Sequence, residues 1–149
     1  MTETNDSAGR ALPSTRRSIP IALIRAREKV MTPIREMLAD SGITEQQWRI
    51  LRVLEEYGAQ DASTLADRAC LLLPSQTRIV QTLLEKGLVT RQADEKDRRK
   101  QTVAITDAGR AIIEDKLDDA KAIAARIEAV IGREKLTQLL DILEDFQKL

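Results

Sequence analysis

EKGLVTRQADEKDRRKQTVAIT, residues 85–106, is the stretch whose reading decides the fold. Up to Leu84 the apolar residues recur at helical spacing. After Gly87 the period drops from 3.6 to 2, so residues 88–93 and 101–105 both read as strands. Every residue from 94 to 100 between them is charged. Two short alternating strands joined by such a segment form a β-hairpin whose tip must stay in water.

Working upstream, Pro74 opens a helix that carries Ile79, Val80, Leu83 and Leu84 inward and stops at Gly87. Before it, Asp61 caps a short helix through Leu65, Ala66 and Ala69. Two short helices with a tight join are the skeleton of a helix-turn-helix, and the hairpin directly after them is a wing. Further upstream, Thr44 and Gln47 form a capping box for a helix that buries Trp48, Ile50, Leu51, Val53 and Leu54 and ends at Gly58. Residues 19–40 read as another helix, with Ile21, Ile24, Ala26, Met31, Ile34, Met37 and Leu38 on one face; Pro33 should kink it, and Ser41-Gly42 ends it. Downstream, Thr106 caps a long helix to about Ile131. Gly132 breaks it, and a last helix carries Leu136, Leu139, Leu140, Leu143 and Phe146. These last two helices have apolar stripes and little in one chain to cover them, which points to a second subunit. The fold class is mainly α with a small β-hairpin wing: a winged helix-turn-helix with long dimerisation helices. Residues 1–18 are polar and aperiodic and read as a disordered arm, leaving one domain over 19–149, with a lobe at about 44–106 and dimerisation helices at about 19–40 and 107–149.

Composition narrows the function classes. The 149 residues carry 24 basic and 24 acidic side chains, so net charge excludes a nonspecific polycation. Charge is uneven, though: residues 107–149 hold seven basic and ten acidic groups, while Lys96, Arg98, Arg99 and Lys100 gather at the wing tip. The absence of histidine removes the commonest general base and metal ligand, so no catalytic residue, metal site or cofactor is expected. The single cysteine, Cys70, permits no intrachain disulfide. No run is apolar enough for a membrane span or a secretory signal, and the cytoplasm is the expected compartment.

The wing sequence DRRKQTVAIT (97–106), together with EKGLVTR (85–91), resembles the MarR family of transcription regulators, and the order of helices extends that resemblance over residues 19–149. IALIRAREKVM (21–31), TEQQWRILRVL (44–54) and CLLLPS (70–75) are similar to the subgroup that represses homoprotocatechuate (hydroxyphenylacetate) degradation operons. The resemblance implies a dimeric repressor that binds double-stranded operator DNA and is released by a small aromatic acid. It also implies that Asp97 braces the wing while Arg99 enters the minor groove, and that the effector sits between the dimer helices and the DNA-binding lobe.

Residue chemistry adds candidates. The helix after Pro74 suits the major groove. With Ile79, Val80 and Leu83 inward, Ser75, Gln76, Thr77, Arg78, Gln81 and Thr82 are left for DNA, and the fork of donors on Arg78 suits guanine or phosphate. On the wing, Arg98, Arg99 and Lys100 suit a narrow, strongly negative minor groove. Arg16 and Arg17 are available to phosphates from the arm, or simply solvated. A two-fold dimer sets its recognition helices one DNA turn apart, roughly 34 Å, and so implies a near-palindromic operator. An aromatic acid needs a flat apolar surface and a cation; Trp48 offers the first, and Arg25, Arg27 or Arg49 the second. Two other readings stand beside this one. One is a thiol-based redox regulator acting through Cys70, although a buried, inert cysteine suits its apolar neighbours. The other is a winged-helix module that binds proteins and never DNA.

Overall fold

The computed structural model describes residues 12–149. The expected arm therefore lies outside the described residues over 1–11, and its remainder carries one exposed 3-10 turn at Thr15–Arg17. Helix α1 spans Ile19–Leu38 with Pro33 inside it. Proline has no N–H to offer, and its ring crowds the carbonyl four residues back. The chain divides there into two compact units, 1–33 and 34–149. Within the first unit, the Thr32 hydroxyl donates to the Glu28 carbonyl (2.7 Å), one turn below.

The second unit contains α2 (Glu45–Tyr57), β1 (Gln60–Asp61), α3 (Ala62–Ala69), α4 (Leu73–Glu85), β2 (Val89–Ala93), β3 (Gln101–Ile105), α5 (Asp107–Ile131) and α6 (Arg133–Asp145), then a 3-10 turn at Phe146–Lys148. Local chemistry sets the boundaries. Thr44 and Gln47 close the capping box through bonds of 3.2 and 3.1 Å. The Asp61 carboxylate accepts the Thr64 N–H at 2.9 Å. The Thr106 hydroxyl accepts from the Gly109 N–H and donates to the Gly87 carbonyl, so one residue caps α5 and ties it to the end of the recognition helix. Each such cap contributes about 1 kcal/mol. Gly87 adopts φ 72°, a left-handed turn that a side chain would resist.

The sheet has the antiparallel order β1-β3-β2, with Val89 opposite Ile105 and Ala93 opposite Gln101. β1 is absent from the sequence reading. Its two residues, Gln60 and Asp61, pair with Val103 and Thr102, and two residues are too few to show any period. Ile50, Leu51 and Leu54 from α2, Leu65 from α3, Val80 and Leu83 from α4, and Val89, Val103 and Ile105 from the wing form the core. Burial contributes roughly 1.5–3 kcal/mol for each large aliphatic side chain. The core packs α4 against the wing, so both present their polar sides from one base.

Candidate nucleic-acid interface and effector pocket

The turn between α3 and α4 aims the recognition helix. Cys70 ends α3 in the left-handed conformation (φ 54°, ψ 50°), and the Leu71 N–H bonds back to the Ala66 carbonyl. Arg49 of α2 donates to the carbonyls of Ala69 (2.9 Å) and Cys70 (3.3 Å) while its other nitrogen meets Glu45. A cation on these carbonyls answers both their unpaired lone pairs and the negative end of α3. Arg49, an effector-cation candidate from the sequence, is here a brace of the helix-turn-helix. Cys70 is exposed, which corrects the expectation of a buried thiol: the turn rotates it out of the line of Leu65 and Ala69.

On α4, Thr77, Arg78 and Gln81 are exposed, and Ser75 and Thr82 are half-buried. Arg78 has no acidic partner among the described residues. Together with Ser75 and Thr82 it borders a groove of about 290 Å³ that also takes in Thr44 and Gln46 at the start of α2. Gln76 does not join this surface. It is 2% exposed, and its Oε1 has no hydrogen-bond partner among the described residues. Gln76 lies three and four residues before Ile79 and Val80, so the helical period itself turns it inward; that signal was present in the sequence. A buried acceptor left unpaired costs about 1–3 kcal/mol.

The wing tip is folded by its own acids. The Asp97 carboxylate accepts the Arg99 N–H at 3.1 Å and lies 3.6 Å from its guanidinium, while the Asp97 carbonyl accepts the Lys100 N–H. The Asp94 N–H bonds to the Lys100 carbonyl at 2.9 Å and closes the base of the loop. Arg98, Arg99 and Lys100 all point into solvent, with the Arg99 side chain 95% exposed. The tip is an ordered turn carrying four cations, Lys96 included, not a loose charged segment.

Between α2 and α5 lies a cavity of about 390 Å³ with an apolar floor that includes Met37, Ile113, Ile123 and Ile127. The Trp48 indole forms one wall, and Arg52 and Lys121 stand at its rim. Arg52 was missed in the sequence, although it sits one turn after Trp48 on the same face of α2. Lys121 arrives from α5, and only the tertiary fold brings it there. Arg25 and Arg27 belong to the unit that ends at Pro33; both are exposed, and Arg27 lies 3.9 Å from Glu28. Below this cavity, Lys116 of α5 is buried (8% exposed) and bonds to Asp40 at 2.5 Å. That hydrogen bond is the first cause holding the Asp40 carboxyl below its usual range and the Lys116 ammonium above its own. Among the described residues there is no cluster of three or more metal-ligating side chains, and no helix is long and apolar enough to cross a membrane.

This arrangement offers an α-helix with donors outward, a cationic hairpin tip beside it, and a separate apolar cavity with an indole and two cations. Relatives share it. The chain is 41% identical to the HTH-type transcriptional regulator FarR of Neisseria gonorrhoeae over 132 residues, 89% of this chain and 90% of that one. It is 39% identical to the homoprotocatechuate degradative operon repressor of Escherichia coli over 129 residues, 87% of either chain. The crystal structure of NadR in complex with 4-hydroxyphenylacetate matches with a TM-score of 0.80 at 40% identity, covering 93% of this chain and 99% of that one. The first two of these relatives are a transcriptional regulator and an operon repressor. The MarR family model matches residues 43–100, from the entry to α2 through the wing tip. With that segment and the near full-length identity to transcriptional regulators, the chain belongs to the MarR family.

Proposed function

We propose that this protein is a dimeric repressor of an aromatic-acid catabolic operon, of the homoprotocatechuate (hydroxyphenylacetate) kind. It binds a near-palindromic operator through two copies of α4 and the wing and is released by a small aromatic acid. Ser75, Thr77, Arg78, Gln81 and Thr82 enter the major groove, and Arg98, Arg99 and Lys100 take the adjacent minor groove and phosphates, with Asp97 holding the tip in shape. A second copy covers α6, on which Leu139, Leu140 and Ile142 are exposed and no residue is buried, together with the exposed Phe146 of the turn that follows it. The pairing sets the distance between the two recognition helices.

The observation that carries the effector assignment is the α2–α5 cavity. It is large enough for a single-ring acid, its floor is apolar, and Trp48 supplies a flat face. Arg52, whose surface ion pair with Glu55 spans 3.8 Å, donates to the carboxylate with its planar fork, and Lys121 adds a second positive charge. The cavity touches both α2, which braces the helix-turn-helix through Arg49, and α5, which follows the wing. A ligand that wedges these helices changes the spacing of the two DNA-binding lobes.

The test is operator binding with and without 4-hydroxyphenylacetate and related phenylacetates and benzoates. A coupling of about 1–3 kcal/mol corresponds to roughly 5- to 150-fold weaker DNA binding at saturating acid. Arg52→Gln should cut the response while operator affinity without acid stays near wild type. Operator binding that no aromatic acid weakens, or an undiminished response in Arg52→Gln, would refute the effector assignment.

A further inference from the structure

The buried Gln76 faces a second, smaller cavity of about 160 Å³ behind the recognition helix. Its walls are Ala62 of α3, Gln76, Thr77 and Val80 of α4, Arg91 of β2, and Gln101 and Val103 of β3. The cavity thus separates the two elements that face DNA. On one bank an amide oxygen has no donor; on the other the exposed Arg91 side chain makes no hydrogen bond or ion pair with any described residue. The Thr77 hydroxyl is already committed to the Leu73 carbonyl at 3.0 Å. A water occupies about 30 Å³ of liquid volume, so the space suits a short chain of waters with polar groups at both ends.

We propose that Gln76 is a positioning residue for DNA recognition: through water held in this cavity it is tied to Arg91, and the link fixes the angle between recognition helix and wing. The proposal rests on the reading that α4 and the wing bind the operator. An apolar side chain at position 76 would pack as well and remove the unpaired oxygen. What it could not do is carry a directional bond across the cavity. A directional bond selects one arrangement of two packed elements, whereas dispersion contacts tolerate several. Base contacts from Ser75 and Arg78 and groove contacts from Arg99 must be made together, so the angle governs discrimination between sequences more than raw attraction to phosphates.

The decisive comparison is Gln76→Met, close in shape but without the carbonyl, measured beside Arg91→Ala, the double variant and Arg99→Ala. Four quantities are read: operator affinity, affinity for scrambled DNA, salt dependence and thermal midpoint. Gln76→Met should lower the ratio of operator to scrambled affinity about fivefold to tenfold, the worth of one hydrogen bond. Its thermal midpoint should not fall, and its affinity for scrambled DNA and its salt slope should stay as in wild type. The double variant should lose no more discrimination than either single one, and nuclear Overhauser contacts from water to the Gln76 side-chain amide should vanish in Arg91→Ala. Full discrimination in Gln76→Met, or losses that simply add in the double variant, would overturn the proposal provided Arg99→Ala has lost affinity. If Arg99→Ala also binds like wild type, the DNA-facing reading itself fails, and this proposal with it.

Discussion

Replacing Arg99 by alanine isolates the role of the wing, because the structure makes both sides of the comparison calculable. The side chain is 95% exposed, and its one ion pair among the described residues, to Asp97, spans 3.6 Å at the surface. Exposed pairs of this kind contribute about 0–1 kcal/mol, and the Arg99 N–H bond to Asp97 survives the substitution because it belongs to the backbone. Thermal stability should therefore stay within about 0.5 kcal/mol of wild type. In the complex a dimer presents two wings. Losing one phosphate neutralisation in each should make the dependence of log K on log salt shallower by about 1.8. The variant's handicap in operator affinity should then shrink roughly tenfold between about 50 and 200 mM salt. Fluorescence anisotropy with labelled operator over that range measures both slopes. A parallel pair of lines would refute the wing assignment, whatever the affinity at any single salt concentration.

Three further outcomes follow from particular contacts. Deleting residues 132–149 removes α6 and should convert the dimer to monomer and abolish tight operator binding; a truncated chain that still sediments as a dimer would place the interface elsewhere. Gly109→Ala should destabilise by about 1–2 kcal/mol despite the better helix propensity of alanine, because the new methyl group would overlap the Leu88 backbone carbonyl and come within 2.7 Å of Ile105; a raised thermal midpoint would show that this junction yields. The Asp40–Lys116 bond depresses the acid's pKa and raises the base's. The contribution from Asp40 is therefore complete above its ordinary value of 3.8 and lost as pH falls through its lowered one, while that from Lys116 is complete below 10.5 and lost as pH rises through its raised one. Asp40→Asn should lower the melting temperature at neutral pH and flatten its decline below about pH 4; an unchanged acid limb would assign that decline to other carboxylates.

The sequence by itself determined every element whose cause is local. Thr44, Asp61 and Thr106 cap their helices from within one turn, Gly87 and Gly132 stop theirs, and the change of period after Gly87 marks the hairpin. The wing's cations were legible too, because a charged hairpin tip has only solvent or a partner to face. Even the inward turn of Gln76 and the place of Arg52 beside Trp48 follow from helical spacing. What the tertiary structure alone decided are the meetings of residues far apart in the chain. Arg49 ends on the carbonyls of Ala69 and Cys70, Gln60 and Asp61 become a strand only by pairing with β3, and Lys121 joins Trp48 and Arg52 across two helices. Periodicity reports which face of a helix is buried, but not which face of another element it meets. The packing of the whole core sets that, and with it which cation reaches the cavity and which is spent holding a turn.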